Sequence, residues 1–210
     1  MRTNRYSYSG LIFAVALAAA WCGCGTNPVW KHQTFAFEVP AEAPPANSPT
    51  NLVSLSRLTI SPLFQTRAFT YRTAENIYEQ DPYASFLVSP ERTLTEAVRG
   101  WLHKGGGLGQ VIEPGSALVP SVIVEASVSE LDGDFRDPAH PLGVMSIHFV
   151  IYQVAGEGPN RVLLDKTSIE QTPLAERRPT ALMAAWHTDL RKIMEEINTE
   201  YVQAHPNDRR

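Results

Sequence analysis

The sequence predicts an α+β domain, an antiparallel-rich mixed sheet with two amphipathic helices packed on one face. Apolar residues recur at helical spacing in two stretches, and they alternate with polar ones in several shorter stretches separated by turn-forming residues. The alternating stretches lean polar on one parity, so one face of the sheet is left for helices to cover and the other for water.

In chain order, Thr34 to Val39 reads as a first strand, followed by a loop from Pro40 to Asn51 that holds four prolines among Ala, Asn and Ser. Leu52 to Ile60 alternates, with Leu52, Ser54, Ser56 and Leu58 on one parity and Val53, Leu55, Arg57 and Thr59 on the other. Arg67 to Arg72 is another short strand. Ser89-Pro90-Glu91 then has the grammar of a helix start: a hydroxyl cap, proline at the first helical position and an acid in the first turn. Leu94, Ala97, Val98, Trp101 and Leu102 form one apolar stripe behind it, and Gly105-Gly106-Gly107 stops the helix.

Three longer strands follow. Val122, Val124, Ala126 and Val128 alternate with polar-leaning neighbours, Met145, Ile147, Phe149 and Ile151 do the same, and Arg161 to Gln171 forms the third. Turn-rich stretches at Asp132 to Leu142 and Ala155 to Asn160 make an antiparallel meander the simplest connection. From Pro179 the spacing is helical again, with Leu182, Trp186, Leu190, Ile193, Ile197 and Tyr201 in one stripe, until Pro206 ends it.

The chain of 210 residues is 43% hydrophobic and 19% charged, so it can bury a core and is no long coiled coil or acidic tail. With 18 Lys and Arg against 22 Asp and Glu the formal charge is −4, which offers no basic field to a phosphate backbone and argues against nucleic acid as a partner.

The first residues carry Arg2 and Arg5 with no acid, then an apolar run from Leu11 to Trp21, then Cys22-Gly23-Cys24-Gly25. That run is about half the ~20 residues a spanning helix needs. Both cysteines of the chain lie here, so no disulfide can staple the rest. The pattern resembles a bacterial lipoprotein signal, in which a small residue precedes a cysteine that is diacylated and becomes the new N-terminus. Cys24 follows Gly23 whereas Cys22 follows the bulky Trp21, so Cys24 is the expected lipid attachment site. Gly25 and Thr26 after it, with no Asp, imply sorting to the periplasmic face of the outer membrane, and two acyl chains suffice for stable anchoring. The expected organisation is a signal peptide over residues 1–23, a lipidated tether over 24–32, one periplasmic α+β domain over 33–205 and a tail over 206–210.

No catalytic or metal-binding spacing emerges. Gly105 to Gly109 lacks the Lys-Ser/Thr of a phosphate-binding loop. Asp132, Asp134 and Asp137 miss the later ligand positions of a calcium loop and read as a solvated hairpin loop in which Arg136 pairs an aspartate. The six histidines are scattered, and His148 reads as a solvent-facing or hydrogen-bonded sheet residue. No nucleophile elbow exists, and no cofactor is expected. Tyr78, Tyr83, Phe86 and Leu87 form an aromatic-rich segment outside regular periodicity, either a plug over the sheet end or an apolar contact for a partner or lipid.

Three stretches carry a family resemblance. They are Tyr71-Arg72 with Asp81-Pro82-Tyr83-Ala84-Ser85-Phe86-Leu87-Val88-Ser89-Pro90 and Leu94 to Leu102; Leu131-Asp132-Gly133-Asp134-Phe135-Arg136-Asp137-Pro138; and Ala185-Trp186-His187-Thr188-Asp189-Leu190. Together with the signal they resemble the ABC-type transport auxiliary lipoproteins, the family that includes the lipoprotein component of paraquat-inducible (Pqi-type) MCE transport systems. The resemblance implies a non-enzymatic periplasmic domain tethered to the outer membrane. Its partner would be an MCE-domain protein fed by an inner-membrane permease and ATPase, moving lipid or other hydrophobic cargo across the envelope. A lipoprotein adaptor of a cell-wall synthase or another envelope complex is the alternative, an envelope hydrolase is a remoter one, and self-association stays open.

Overall fold

Strand alternation and helical stripes place the same residues inward, and the elements of the computed structural model follow from that agreement. Residues 31–38, 51–104 and 107–205 are described. The expected signal peptide, Cys24, most of the tether, nearly all of the proline-rich loop, Gly105-Gly106 and the tail lie outside the described residues. The elements are β1 (Gln33–Phe35), β2 (Leu52–Ile60), a 3-10 turn (Pro62–Phe64), β3 (Ala68–Ala74), β4 (Ile77–Phe86), α1 (Pro90–His103), β5 (Gln110–Val111), β6 (Val122–Asp134), β7 (Leu142–Gln153), β8 (Arg161–Pro173) and α2 (Pro179–Ala204).

Among the described residues the fold is α+β, a mixed sheet of eight strands with two helices. Its frame is the expected antiparallel meander β6–β7–β8. The other edge of β6 is shared: β2 runs parallel to it along Val122–Val128, and β3 runs parallel to it at Gly133 and Asp134. Thus β2 and β3 lie end to end on one edge, joined across the 3-10 turn, where the Ser61 N–H donates to the Val128 carbonyl at 2.8 Å. β4 folds back on β3 through Asn76, whose φ of 61° is the left-handed conformation a short polar side chain tolerates. β1 then adds parallel to β4, and β5 adds to β2.

Two bulges shift which residues face the core. Ser56 is the extra residue in β2, so Val53 and Leu55 are followed inward by Leu58 and Ile60, and Arg57 and Thr59 turn to the opposite face. The two-parity pattern expected for β2 therefore holds only up to Ser56. In β6 the shift falls at Ser129: Val122, Val124, Ala126 and Val128 face inward before it and Leu131 after it.

Both helical stripes enter one core. Leu94, Ala97, Val98, Trp101 and Leu102 of α1 are buried, as are Leu182, Trp186, Leu190, Ile193, Ile197 and Tyr201 of α2. Ser89 caps α1 as its sequence implies, its Oγ accepting from the Arg92 N–H at 3.4 Å. α2 comes close to the sheet because Gly133 and Gly143 face each other across β6 and β7. A Cβ at Gly143 would lie 2.7 Å from that of Ala185, and one at Gly133 would lie 3.1 Å from Leu182 Cδ2. Into that gap Trp186 points its Nε1–H, shared between the carbonyls of Asp132 (3.3 Å) and Val144 (3.2 Å). Among the described residues no helix is long and apolar enough to cross a membrane.

β1 is shorter than the strand expected from Thr34 to Val39. Beyond Phe35 the chain drops into the core instead: Phe37 is buried and its N–H donates to Thr93 Oγ1 at 2.9 Å.

Candidate functional site

The segment expected to be an irregular aromatic contact is a strand. β4 hides its periodicity because Asp81 breaks it: Asp81 Oδ1 accepts from the N–H groups of Tyr83 (2.7 Å) and Ala84 (3.0 Å), and Pro82 between them has no N–H to give. The register against β3 slips there, from Thr70 opposite Gln80 to Ala68 opposite Ser85. Before the slip, Ile77 to Gln80 are all exposed, and after it Ala84, Ser85 and Phe86 are all buried.

Of the four expected contact residues, Phe86 is therefore corrected to a core position. It is 2% exposed, stacked on Trp186 at 5.6 Å and tilted against Phe69 at 4.8 Å, so no partner can reach it without unfolding the corner. Tyr78, Tyr83 and Leu87 are exposed. They do not form one patch, since Tyr78 and Leu87 sit nine residues apart along the chain, up to about 30 Å in an extended strand. Tyr78 belongs to the hairpin end, beside exposed Ile77 and against the ring of Phe64 at 6.1 Å, whose neighbour Leu63 is also exposed. Tyr83 and Leu87, with Val88, lie at the β1 end.

The three stretches that carry the family resemblance meet in space. Tyr71 stacks on Phe135 at 4.8 Å and donates its hydroxyl proton to Asp81 Oδ2 at 2.5 Å. Burial, then the Asp81 carboxylate, push the Tyr71 hydroxyl above its ordinary range, so it stays protonated as the donor. The Arg177 guanidinium also lies over the Phe135 ring, 4.5 Å from its centroid. Trp186 binds the Asp132 carbonyl and stacks on Phe86. One node thus draws on β3, β4, β6 and α2.

Charge gathers beside that node. Asp132 and Asp134 are buried on β6, which corrects the expectation of a solvated loop there: the Ser129 bulge turns Leu131 inward and carries the strand on through Asp134. The expected pairing of Arg136 holds, its Nε and Nη2 gripping Asp134 at 2.9 and 2.5 Å, and this holds the Asp134 carboxyl below its ordinary range. Asp132 has no such grip. Burial first, then Glu130 and Asp134, push it up to about 7 against the pull of Arg72 and Arg136. Arg72, across from Asp134 in the register, lies over the Tyr78 ring at 5.8 Å and leaves its buried Nε without a protein partner. Asp137 alone of the three is exposed, bonded to His140 Nδ1 at 2.7 Å.

The fold that carries these residues, an eight-stranded mixed sheet with two helices among the described residues, has counterparts among solved structures. The crystal structure of protein XCC0632 from Xanthomonas campestris, of family DUF330, matches with a TM-score of 0.68 at 13% identity, over 84% of this chain and 98% of that one. A crystal structure of an uncharacterized protein matches with a TM-score of 0.60 at 11% identity, over 80% of this chain and 99% of that one. At such identities the likeness is one of fold. No family model matches the sequence, and no curated protein does.

Sequence reasoning missed a shallow groove of about 190 Å³ on the face opposite the helices, lined by Arg57, Thr59, Glu125, Ser127, His148 and others. His148 is the hydrogen-bonded sheet residue expected of it, its Nε2 lying 2.7 Å from Asp165 Oδ1. Only the Ser56 bulge brings Arg57 to this face, and simple alternation gives no sign of a bulge.

Proposed function

We propose that this chain is an auxiliary lipoprotein of an MCE-type transport system, anchored through Cys24 to the periplasmic face of the outer membrane and working by binding rather than turnover. One observation supports this above others. The stretches that resemble the auxiliary lipoproteins, remote from one another in sequence, meet at one core, where Phe86, Phe135 and Trp186 are buried and Tyr71 is half-buried on the Phe135 ring. Residues shared in order along a chain are what a common fold needs when they also pack together, and the DUF330 fold likeness is consistent with one. Outward from that core the β3–β4 hairpin presents Ile77 and Tyr78, with Leu63 nearby in the turn, as exposed apolar side chains. In this reading the hairpin end is where the MCE protein docks.

Capture of the MCE protein by the purified, lipidated chain tests the proposal. Truncating a central aromatic of an interface commonly costs about 2 kcal/mol, or about 30-fold in affinity. Joint Ile77→Ala and Tyr78→Ala substitution should weaken capture by at least that order with the melting temperature nearly unchanged. Phe86→Ala should behave oppositely, losing several kcal/mol of stability, about 3–5 for a buried Phe. Retention of a cell-wall synthase with no retention of any MCE protein would replace this reading with the adaptor.

A further inference from the structure

We infer that the corner where β1 meets β4 rests on the lipid surface that holds the anchor, with Tyr83, Leu87 and Val88 as the side chains that touch it. The inference rests on the anchoring at Cys24 proposed above. The chain enters the domain at this corner: Gln33 pairs with Ala84, Phe35 with Phe86, and the Leu87 N–H donates to the Phe35 carbonyl at 2.7 Å. Ala84, Ser85 and Phe86 are buried, whereas Tyr83 before them and Leu87 and Val88 just past the end of β4 are exposed. Leu87 is 57% exposed and Val88 39%, a pair of aliphatic side chains beside a tyrosine whose ring is apolar and whose hydroxyl is polar. That combination suits the boundary between headgroups and acyl chains.

Tether length supplies the second argument. From Cys24 to Gln33 is nine residues, which reach at most about 32 Å when fully extended and average about 17 Å if flexible. A folded unit the size of His32–Arg210 has a radius of gyration of about 16 Å and so measures about 40 Å across. The leash is shorter than the body it holds, which excludes the orientation with the entry corner pointing straight away from the bilayer and, at the average reach, makes that corner the near side. The hairpin end with Tyr78, at the opposite end of β4, is then the farther side and the one open to a protein partner.

The chain has no cysteine beyond Cys22 and Cys24, so a thiol introduced into the mature lipidated protein is unique. Leu87→Cys and Ile77→Cys proteins, each carrying a small fluorophore, are reconstituted on vesicles of phosphatidylethanolamine and phosphatidylglycerol that contain a nitroxide-labelled headgroup. The expected result is quenching at position 87 several times that at position 77. Equal quenching, or stronger quenching at position 77, with the protein still floating with the vesicles, overturns the inference and leaves the anchor standing. Protection of position 87 from aqueous iodide without nitroxide quenching, growing with protein concentration, overturns it in favour of a second copy at the corner. A wild-type protein that does not float, or a Cys24→Ala protein that floats equally well, removes the anchor and the inference with it.

Discussion

Asp132 is a carboxyl group 4% exposed with Glu130 and Asp134 as its nearest like charges, and only Arg72 and Arg136 oppose them. In the unfolded chain it titrates near 3.8, and in the fold it is pushed up to about 7. Below about pH 4 both states hold the proton and the residue contributes nothing to pH dependence. As pH rises the unfolded state ionises first, so stability falls between about 4 and 7, by an amount on the order of 4 kcal/mol. Asp189 on α2, pushed up to about 6 by burial although Thr172 donates to it, adds a loss of the same sign between about pH 4 and 6. Asp134, held low by Arg136, works the other way and loses its contribution only as the solution is acidified through its folded pKa. Asp132→Asn should therefore be more stable than the parent at pH 7 and above, with the gap closing toward pH 4 in urea titrations. Identical pH profiles for the two proteins would contradict the assignment. The sequence alone singled out Asp132 and Asp134 for a calcium loop that fails and then for a solvated turn. Leu131, Gly133 and Phe135 alternate, but one step out of phase with Val122 to Val128, and a phase slip reads as the end of a strand when it is a bulge within one.

The long elements were legible because each has its own signal. α1 and α2 bury the residues their stripes name, and β7 buries Met145, Ile147, Phe149 and Ile151 as its alternation says. β4 was not legible, since an Asx turn at Asp81 divides it into an exposed half and a buried half that both lack alternation. The seating of α2 was equally hidden, because it depends on two glycines from different strands meeting face to face. Gly143→Val should force branched carbon atoms into the space held by Ala185 and Leu182, lifting α2 and loosening the bond from Trp186 to the Val144 carbonyl. Overpacking of this kind costs about 1–3 kcal/mol. A lower urea midpoint together with altered Trp186 fluorescence is the expected result, and an unchanged midpoint would show that the helix has slack to move.

Taken as a molecule, the chain builds its sheet from two kinds of neighbour. β7 and β8 reach β6 by short hairpin connections, while β2 and β3 come to its other edge from much earlier in the chain and run parallel to it. The class of fold was readable from periodicity, but this parallel arrival of β2 and β3 was not, because alternation is blind to strand order and direction. Loop closure makes contacts between distant residues slow to form, so the order of assembly is biased by the same topology. The β6–β7–β8 meander can pair before β2 has found its place, and α2, which follows β8 directly, can cover it from behind. β2, β3 and the β4 hairpin would then dock onto a preformed edge in a later step. Ile147→Val should accordingly slow refolding, whereas Leu55→Ala should chiefly speed unfolding, as read from stopped-flow chevrons. The reverse assignment of the two arms would mean that the remote parallel pair forms first. If the meander forms first, the unpaired edge of β6 is the stretch most open to mispairing in each newly made copy, from its first collapse until β2 arrives.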